Sequence, residues 1–179
     1  VKQEDTDYGE GEVKIYLSLE KHINCCPVGE DFHRGDCLGQ KGERIDAYMM
    51  ASMASGGIDK VSVWRKIRVA IITTGEELMM PGQPLLPGKI YNSNLAYLTG
   101  RLMQLGCDIT EGCFVGDDTE AIVSAVRRSA AQAELILTTG GVSVGVKDLL
   151  PEVIVKLGAD LLFHGIDLKP GMPTMASLY

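Results

Sequence analysis

From Ile67 onward short apolar runs alternate with amphipathic segments, and this alternation leaves few folds open to the chain. Val69 to Ile72 reads as a buried strand and leads into Thr73-Thr74-Gly75-Glu76-Glu77-Leu78. The loop Pro81 to Ile90, which contains PGQPLLPGK, can be neither helix nor central strand and must run over the surface. Asn92-Ser93-Asn94 offers N-cap chemistry for a helix of about Leu95 to Leu105, with Leu95, Leu98, Leu102 and Leu105 facing inward and Gly106 closing it. Cys107 to Val115 reads as the next strand. Asp117, Asp118 and Thr119 then cap a helix through roughly Ala131, whose apolar face is Ile122, Val123 and Val126. Strands and helices alternating at these lengths imply right-handed crossovers and a mostly parallel sheet covered by helices on both faces.

The stretch Glu134 to Asp148 sits at the centre of this pattern. Leu135, Ile136 and Leu137 form the apolar run of a fully buried parallel strand. Thr138, Thr139, Gly140, Gly141, Val142, Ser143, Val144 and Gly145 follow, and Asp148 opens a helix with Leu149, Leu150, Val153, Ile154 and Leu157 on one face and Gly158 at its end. A strand that ends in glycines and hands over to a helix bares backbone N–H groups at the carboxyl edge of a sheet, where open α/β sheets bind ligands. Asp160 to Leu168 then reads as a strand, Lys169-Pro170-Gly171-Met172-Pro173 as a loop, and Thr174 as the start of another strand. Thr74, Gly75 and Glu77 follow one strand, Asp117 and Asp118 a second, Gly140 to Ser143 with Asp148 a third, and Lys169 a fourth. In a parallel sheet these loops share one edge, so carboxylates from three of them can converge, which suits a magnesium ion bridging to phosphate oxygens. Taken singly, Asp117 or Asp118 is better read as a helix cap and Asp148 as a partner of a helix dipole; their shared edge shifts the balance.

The first third has a different grammar. Glu12 to Leu19 alternates, with Val13, Ile15, Leu17 and Leu19 on one face of an expected strand. Asn24 to Asp36 is irregular, and Asp31 and Asp36 read as turn residues. A helix is expected from about Ile45 to Ser55, with Ile45, Tyr48, Met49, Ser52 and Met53 on one face and the methionines as core filler. Gly56 and Gly57 end it, Ile58 to Trp64 reads as a strand, and Arg65, Lys66 and Arg68 mark a boundary. The division expected is a smaller β-rich fragment over residues 1–66 and an α/β domain over 67–179, shortened at its C-terminus; the chain reads as a piece of a longer protein. His22, Cys25, Cys26, His33 and Cys37 bring soft ligands close in sequence, but adjacent Cys25 and Cys26 cannot form a C-x₂-C chelate, so loop thiols are the better reading.

A net charge of −7 argues against nucleic acid as a partner, so an anionic small substrate would need locally supplied positive charge. Five cysteines without a framework point to reduced thiols in a cytoplasmic protein, and no apolar run is long enough to span a bilayer.

Taken in order, VKQEDT, VGEDFHRGD, SGGIDKVSVWRKIRVAIITTGEEL, PGQPLLPGKIYNSN, GDD, TTGGVSVGVKD and FHGIDLKPGMP resemble the molybdopterin molybdenumtransferase family, the MoeA proteins and the gephyrin C-terminal domain, over nearly the whole chain. The resemblance implies a MogA-like α/β fold and magnesium-dependent insertion of molybdate into adenylylated molybdopterin with release of AMP. It implies Glu77, Asp117 (or Asp118) and Asp148 around the metal and pyrophosphate, with Thr74 and Gly75 beside them. Gly140, Gly141, Val142 and Ser143 would hold the pterin side, and Lys169 with Pro170 would face phosphate or molybdate. A homodimer and a molybdopterin adenylyltransferase are the partners it implies. Two departures stand out: Cys26-Pro27-Val28 replace a run of arginines, and Met172 replaces a lysine. They leave room for an alternative, a sensor or scaffold that binds molybdopterin or a nucleotide without inserting metal.

Overall fold

The computed structural model describes residues 1–141 and 149–179, which fall into two compact units, Val1–Val63 and Trp64–Tyr179. The first unit holds a single turn of 3-10 helix, Gln3–Asp5, and one α-helix, α1 (Ala47–Ser55). Asp46 caps α1, its carboxylate accepting from the Met49 N–H at 2.9 Å. The expected inward face is half-buried at Ile45, Met49, Ser52 and Met53, whereas Tyr48 points to solvent at 84% exposure. No residue of α1 is buried, so the methionines do not fill a core; Met49 and Met53 pack over Gly39.

The first region does not form the expected β-rich unit. No strand forms in Val1–Val63, and the alternating segment is reduced to one antiparallel bridge, Thr6 to Ile15. Val13, Ile15 and Leu17 remain more than half exposed. A period of two supplies a face, but a strand also needs a neighbour for its backbone N–H and C=O groups, and this unit provides one only at Thr6.

In the second unit the elements are β1 (Arg68–Thr74), β2 (Leu78–Met79), β3 (Ile90–Tyr91), α2 (Ser93–Gln104), β4 (Asp108–Val115), α3 (Thr119–Ala130), β5 (Leu135–Thr139), α4 (Leu150–Leu157), β6 (Asp160–His164) and β7 (Met175–Leu178). The central sheet is parallel, in the order β4-β1-β5. Strand β1 is apolar on both faces because both are covered. Ile72 packs with Ile122, Val123 and Val126 of α3 and with Leu150 and Val153 of α4. Val69 and Ile71 pack on the opposite face with Leu102, Leu95 and Leu98 of α2. Full burial of each such aliphatic side chain contributes about 1.5–3 kcal/mol. Gly112 of β4 lets α2 sit close: a Cβ there would lie 3.1 Å from Leu95 Cδ1. Leu105, expected to face inward, is instead 64% exposed at the C-cap of α2.

At the amino edge of the sheet, Glu134 joins the start of β5 to the start of β1. It is hydrogen-bonded and ion-paired to Arg65, accepts from the Arg68 N–H at 3.3 Å and lies 3.7 Å from Arg68 Nε. Within the β4–α3 layer, Arg128 and Ser129 both donate to Glu111, and Arg128 foremost holds that carboxyl below the usual range.

The strand expected from Asp160 does not join the parallel sheet. β6 pairs antiparallel with β7, Asp160 opposite Leu178 and His164 opposite Met175. All five residues of β6 are exposed, unlike the buried β1, and only Met175 of β7 reaches the α3–α4 cluster. Lys169 and Pro170 therefore lie in the loop joining this antiparallel pair, not in a loop after a fourth parallel strand.

Candidate functional site

The carboxyl ends of β4, β1 and β5 lie side by side, with Thr74 opposite Val115 and Thr73 opposite Thr139. Three segments leave this edge: the turn Gly75–Leu78, the passage Gly116-Asp117-Asp118 into α3, and Gly140-Gly141. Beneath them lies a buried polar layer. Asn92, 1% exposed, donates from Nδ2 to Thr73 Oγ1 at 2.7 Å, and Thr73 Oγ1 donates onward to the Cys113 carbonyl at 3.1 Å. Thr74 Oγ1 donates to the Thr139 carbonyl at 3.3 Å. Side-chain hydroxyls thus tie the three strand ends together where regular pairing stops, and no buried hydroxyl is left without a partner at Thr73 or Thr74.

Two glycines at this edge take positive φ, and one of them, Gly140, is also sterically required by neighbouring backbone. Gly140 has φ +92°, and a Cβ on it would lie 2.3 Å from the Thr74 carbonyl oxygen. Gly75 has φ +145°, and a Cβ there would lie 2.7 Å from both carboxylate oxygens of Glu77, which folds back over it. The Gly75 turn closes through Leu78 N–H to the Gly75 carbonyl at 3.1 Å.

The acidic residues divide their work. Asp118 caps α3, accepting from the Ala121 N–H at 2.7 Å. Asp117 instead accepts, through Oδ2, from the Glu76 N–H at 3.2 Å, so the loop after β4 is hydrogen-bonded to the turn after β1. Glu77 and Asp117 are exposed carboxylates on adjoining loops. Val142, Ser143 and Asp148 lie outside the described residues. Among the described residues, no three His, Cys, Asp or Glu side chains gather as a metal-holding group. Cys25, Cys26 and Cys37 are free and exposed, and Cys26 Sγ donates to Glu30. That hydrogen bond is the main cause of a raised Cys26 pKa.

Two residues at this edge were not singled out by the sequence. Asn92 caps α2 as its sequence position predicts, accepting from the Leu95 N–H at 3.2 Å, but its other end holds Thr73. Lys89, inside the Pro/Gly loop, reaches the Glu76 carbonyl with Nζ at 2.6 Å. Its signal was faint: a lone cation directly before the two-residue strand β3.

Residues 70–178 match the family described as a probable molybdopterin binding domain. The chain is 36% identical over 165 residues to the molybdopterin molybdenumtransferase of Bacillus subtilis, covering 90% of this chain and 38% of that protein. It is 32% identical to the enzyme of the same name from Synechococcus elongatus, covering 99% of this chain and 45% of that one. A crystal structure titled molybdopterin biosynthesis moea protein, from Pyrococcus horikosii, superposes with a TM-score of 0.76 at 32% identity, over 99% of this chain and 44% of that one. The chain thus spans less than half the length of these relatives.

Proposed function

This chain belongs to the molybdopterin-binding family, and on that premise we propose that the whole protein is an enzyme that inserts molybdate into adenylylated molybdopterin and releases AMP. The observation that carries the reading is the single sheet edge bearing Thr74, Gly75, Glu77, Asp117, Gly140 and Gly141, with Asp117 hydrogen-bonded to the turn of Glu77. The substrate side is assigned to Gly140, Gly141, Val142 and Ser143, whose backbone donors suit an anionic pterin phosphate. Lys169 and Pro170 are assigned to phosphate or molybdate.

Magnesium is the cation this reading needs. Glu77 and Asp117 are exposed, hard oxygen donors, and magnesium is commonly held by one or two carboxylates together with substrate phosphates, so the donor chemistry fits. Asp148 is assigned as the further carboxylate, while Asp118 stays with its cap. When bound, the cation would polarise phosphate oxygens. The chain's own part is to hold Glu77 over Gly75, fix Asp117 against the Glu76 amide, and keep Gly140 bare for close approach. A cytoplasmic homodimer, fed by a molybdopterin adenylyltransferase, completes the proposal, with residues 67–179 as its pterin-binding domain. Among the described residues no helix is long and apolar enough to cross a membrane.

The test is cofactor formation by the full-length protein from adenylylated molybdopterin, molybdate and magnesium. Glu77→Gln and Asp148→Asn are each expected to lower the rate at least about tenfold. Rates within about twofold for both would overturn the assignment. Met172, an exposed neutral side chain where the family has a lysine, favours a second reading in which the site binds the pterin without inserting metal. Tight pterin binding with no AMP release would establish that reading instead.

A further inference from the structure

We propose that Lys89 is a positioning residue: with Asp117 it holds the Glu76 backbone at both its N–H and its carbonyl and so sets where the Glu77 carboxylate stands. The Glu76 N–H donates to Asp117 Oδ2 at 3.2 Å, and the Glu76 carbonyl accepts from Lys89 Nζ at 2.6 Å. The next carbonyl, that of Glu77, accepts from the Ile90 N–H at 2.8 Å, directly after Lys89 in the chain. Glu76 and Glu77 are exposed, so their turn has little apolar packing of its own, and Gly75 at its start is in a left-handed conformation. In such a turn the polar contacts decide the geometry, and two of them, from the Lys89 ammonium and to the Asp117 carboxylate, are charge-assisted.

The approach of Lys89 is prepared locally. Gly88 takes φ +74°, the Lys89 N–H closes a turn onto the Leu86 carbonyl at 3.1 Å, and β3 begins at the next residue. The ammonium is thereby delivered to an edge that otherwise carries Glu76, Glu77, Asp117 and Asp118, where it offsets their mutual repulsion. Its consequence for the cation and pterin rests on the function proposed above; the clamp itself does not.

The experiment uses the full-length protein and two variants, Lys89→Met, which removes the donor, and Lys89→Arg, which keeps one. Amide hydrogen exchange is followed in residues 75–78, alongside the magnesium concentration that half-saturates binding of adenylylated molybdopterin. In Lys89→Met, exchange of residues 75–78 is expected to accelerate about tenfold while β1 stays protected, and the magnesium requirement is expected to rise by a similar factor. Lys89→Arg is expected to stay within about threefold of the unmodified protein on both. Unchanged exchange in Lys89→Met overturns the clamp. Faster exchange with an unchanged magnesium requirement overturns the link from the clamp to Glu77. If the unmodified protein binds no adenylylated molybdopterin while Lys89→Met exchange still rises, the clamp stands and the proposed function fails.

Discussion

Gly140 lies so close to Thr74 that a methyl group in place of its hydrogen would sit 2.3 Å from the Thr74 carbonyl oxygen and 2.6 Å from its hydroxyl. The contact joins the ends of β1 and β5, and it is made by backbone, which cannot swing aside as a long side chain could. Gly141, with φ +63°, has room: the nearest atoms to a Cβ there are 3.7 Å away.

Gly140→Ala is therefore expected to cost about 2 kcal/mol or more, and Gly141→Ala only about 1 kcal/mol from its left-handed backbone. Urea unfolding of the full-length protein measures both. Equal losses would show that the edge around Thr74 yields more readily than its packing implies.

Asp118 and Asp117 should separate under substitution. Serine can cap a helix as aspartate does, so Asp118→Ser is expected to keep stability within about 0.5 kcal/mol, whereas Asp118→Ala should lose about 1 kcal/mol. Magnesium-dependent pterin binding should survive Asp118→Ser, because its carboxylate is spent on the Ala121 amide. A magnesium requirement raised by Asp118→Ser would move Asp118 from cap to ligand.

Acid should loosen the opposite edge of the sheet in a defined window. Hydrogen bonds from Arg65 foremost, then from the Arg68 amide, lower the Glu134 carboxyl from an ordinary 4.5 to about 2. A depressed carboxyl contributes its stabilisation fully above its unfolded pKa and loses it as pH falls through the folded value. The stability difference between the unmodified protein and Glu134→Gln should thus be constant near neutral pH and shrink as pH falls from 4.5 toward 2. A difference that persisted at the acid end would mean Glu134 acts by packing rather than by charge. Because the pair is exposed, added salt should reduce the difference as well.

The α/β half of the chain was legible because its signals are local and redundant. The apolar run Val69–Ile72 and the faces of α2 and α3 need no distant partner to be read, and Asn92 and Asp118 announce their helices by cap chemistry alone. What the sequence misjudged depends on pairing. Glu12 to Leu19 has a strand's alternation, yet only Ile15 finds a bridge, and β6 has a strand's composition but pairs with β7 rather than joining the parallel sheet. Periodicity reports a face; it does not report which neighbour takes up the hydrogen bonds. At the site, carboxylates and glycines were visible as residue types at strand ends. The work of Lys89 was not, because a cation that serves a carbonyl from a neighbouring loop leaves no spacing rule behind it.

The order β4-β1-β5 puts the earliest of the three strands in the middle. During synthesis β1 emerges with neither flank available, and its second neighbour arrives only once Thr139 has been made. Until then its apolar residues lack complete cover, and transiently exposed apolar surface of this kind favours aggregation.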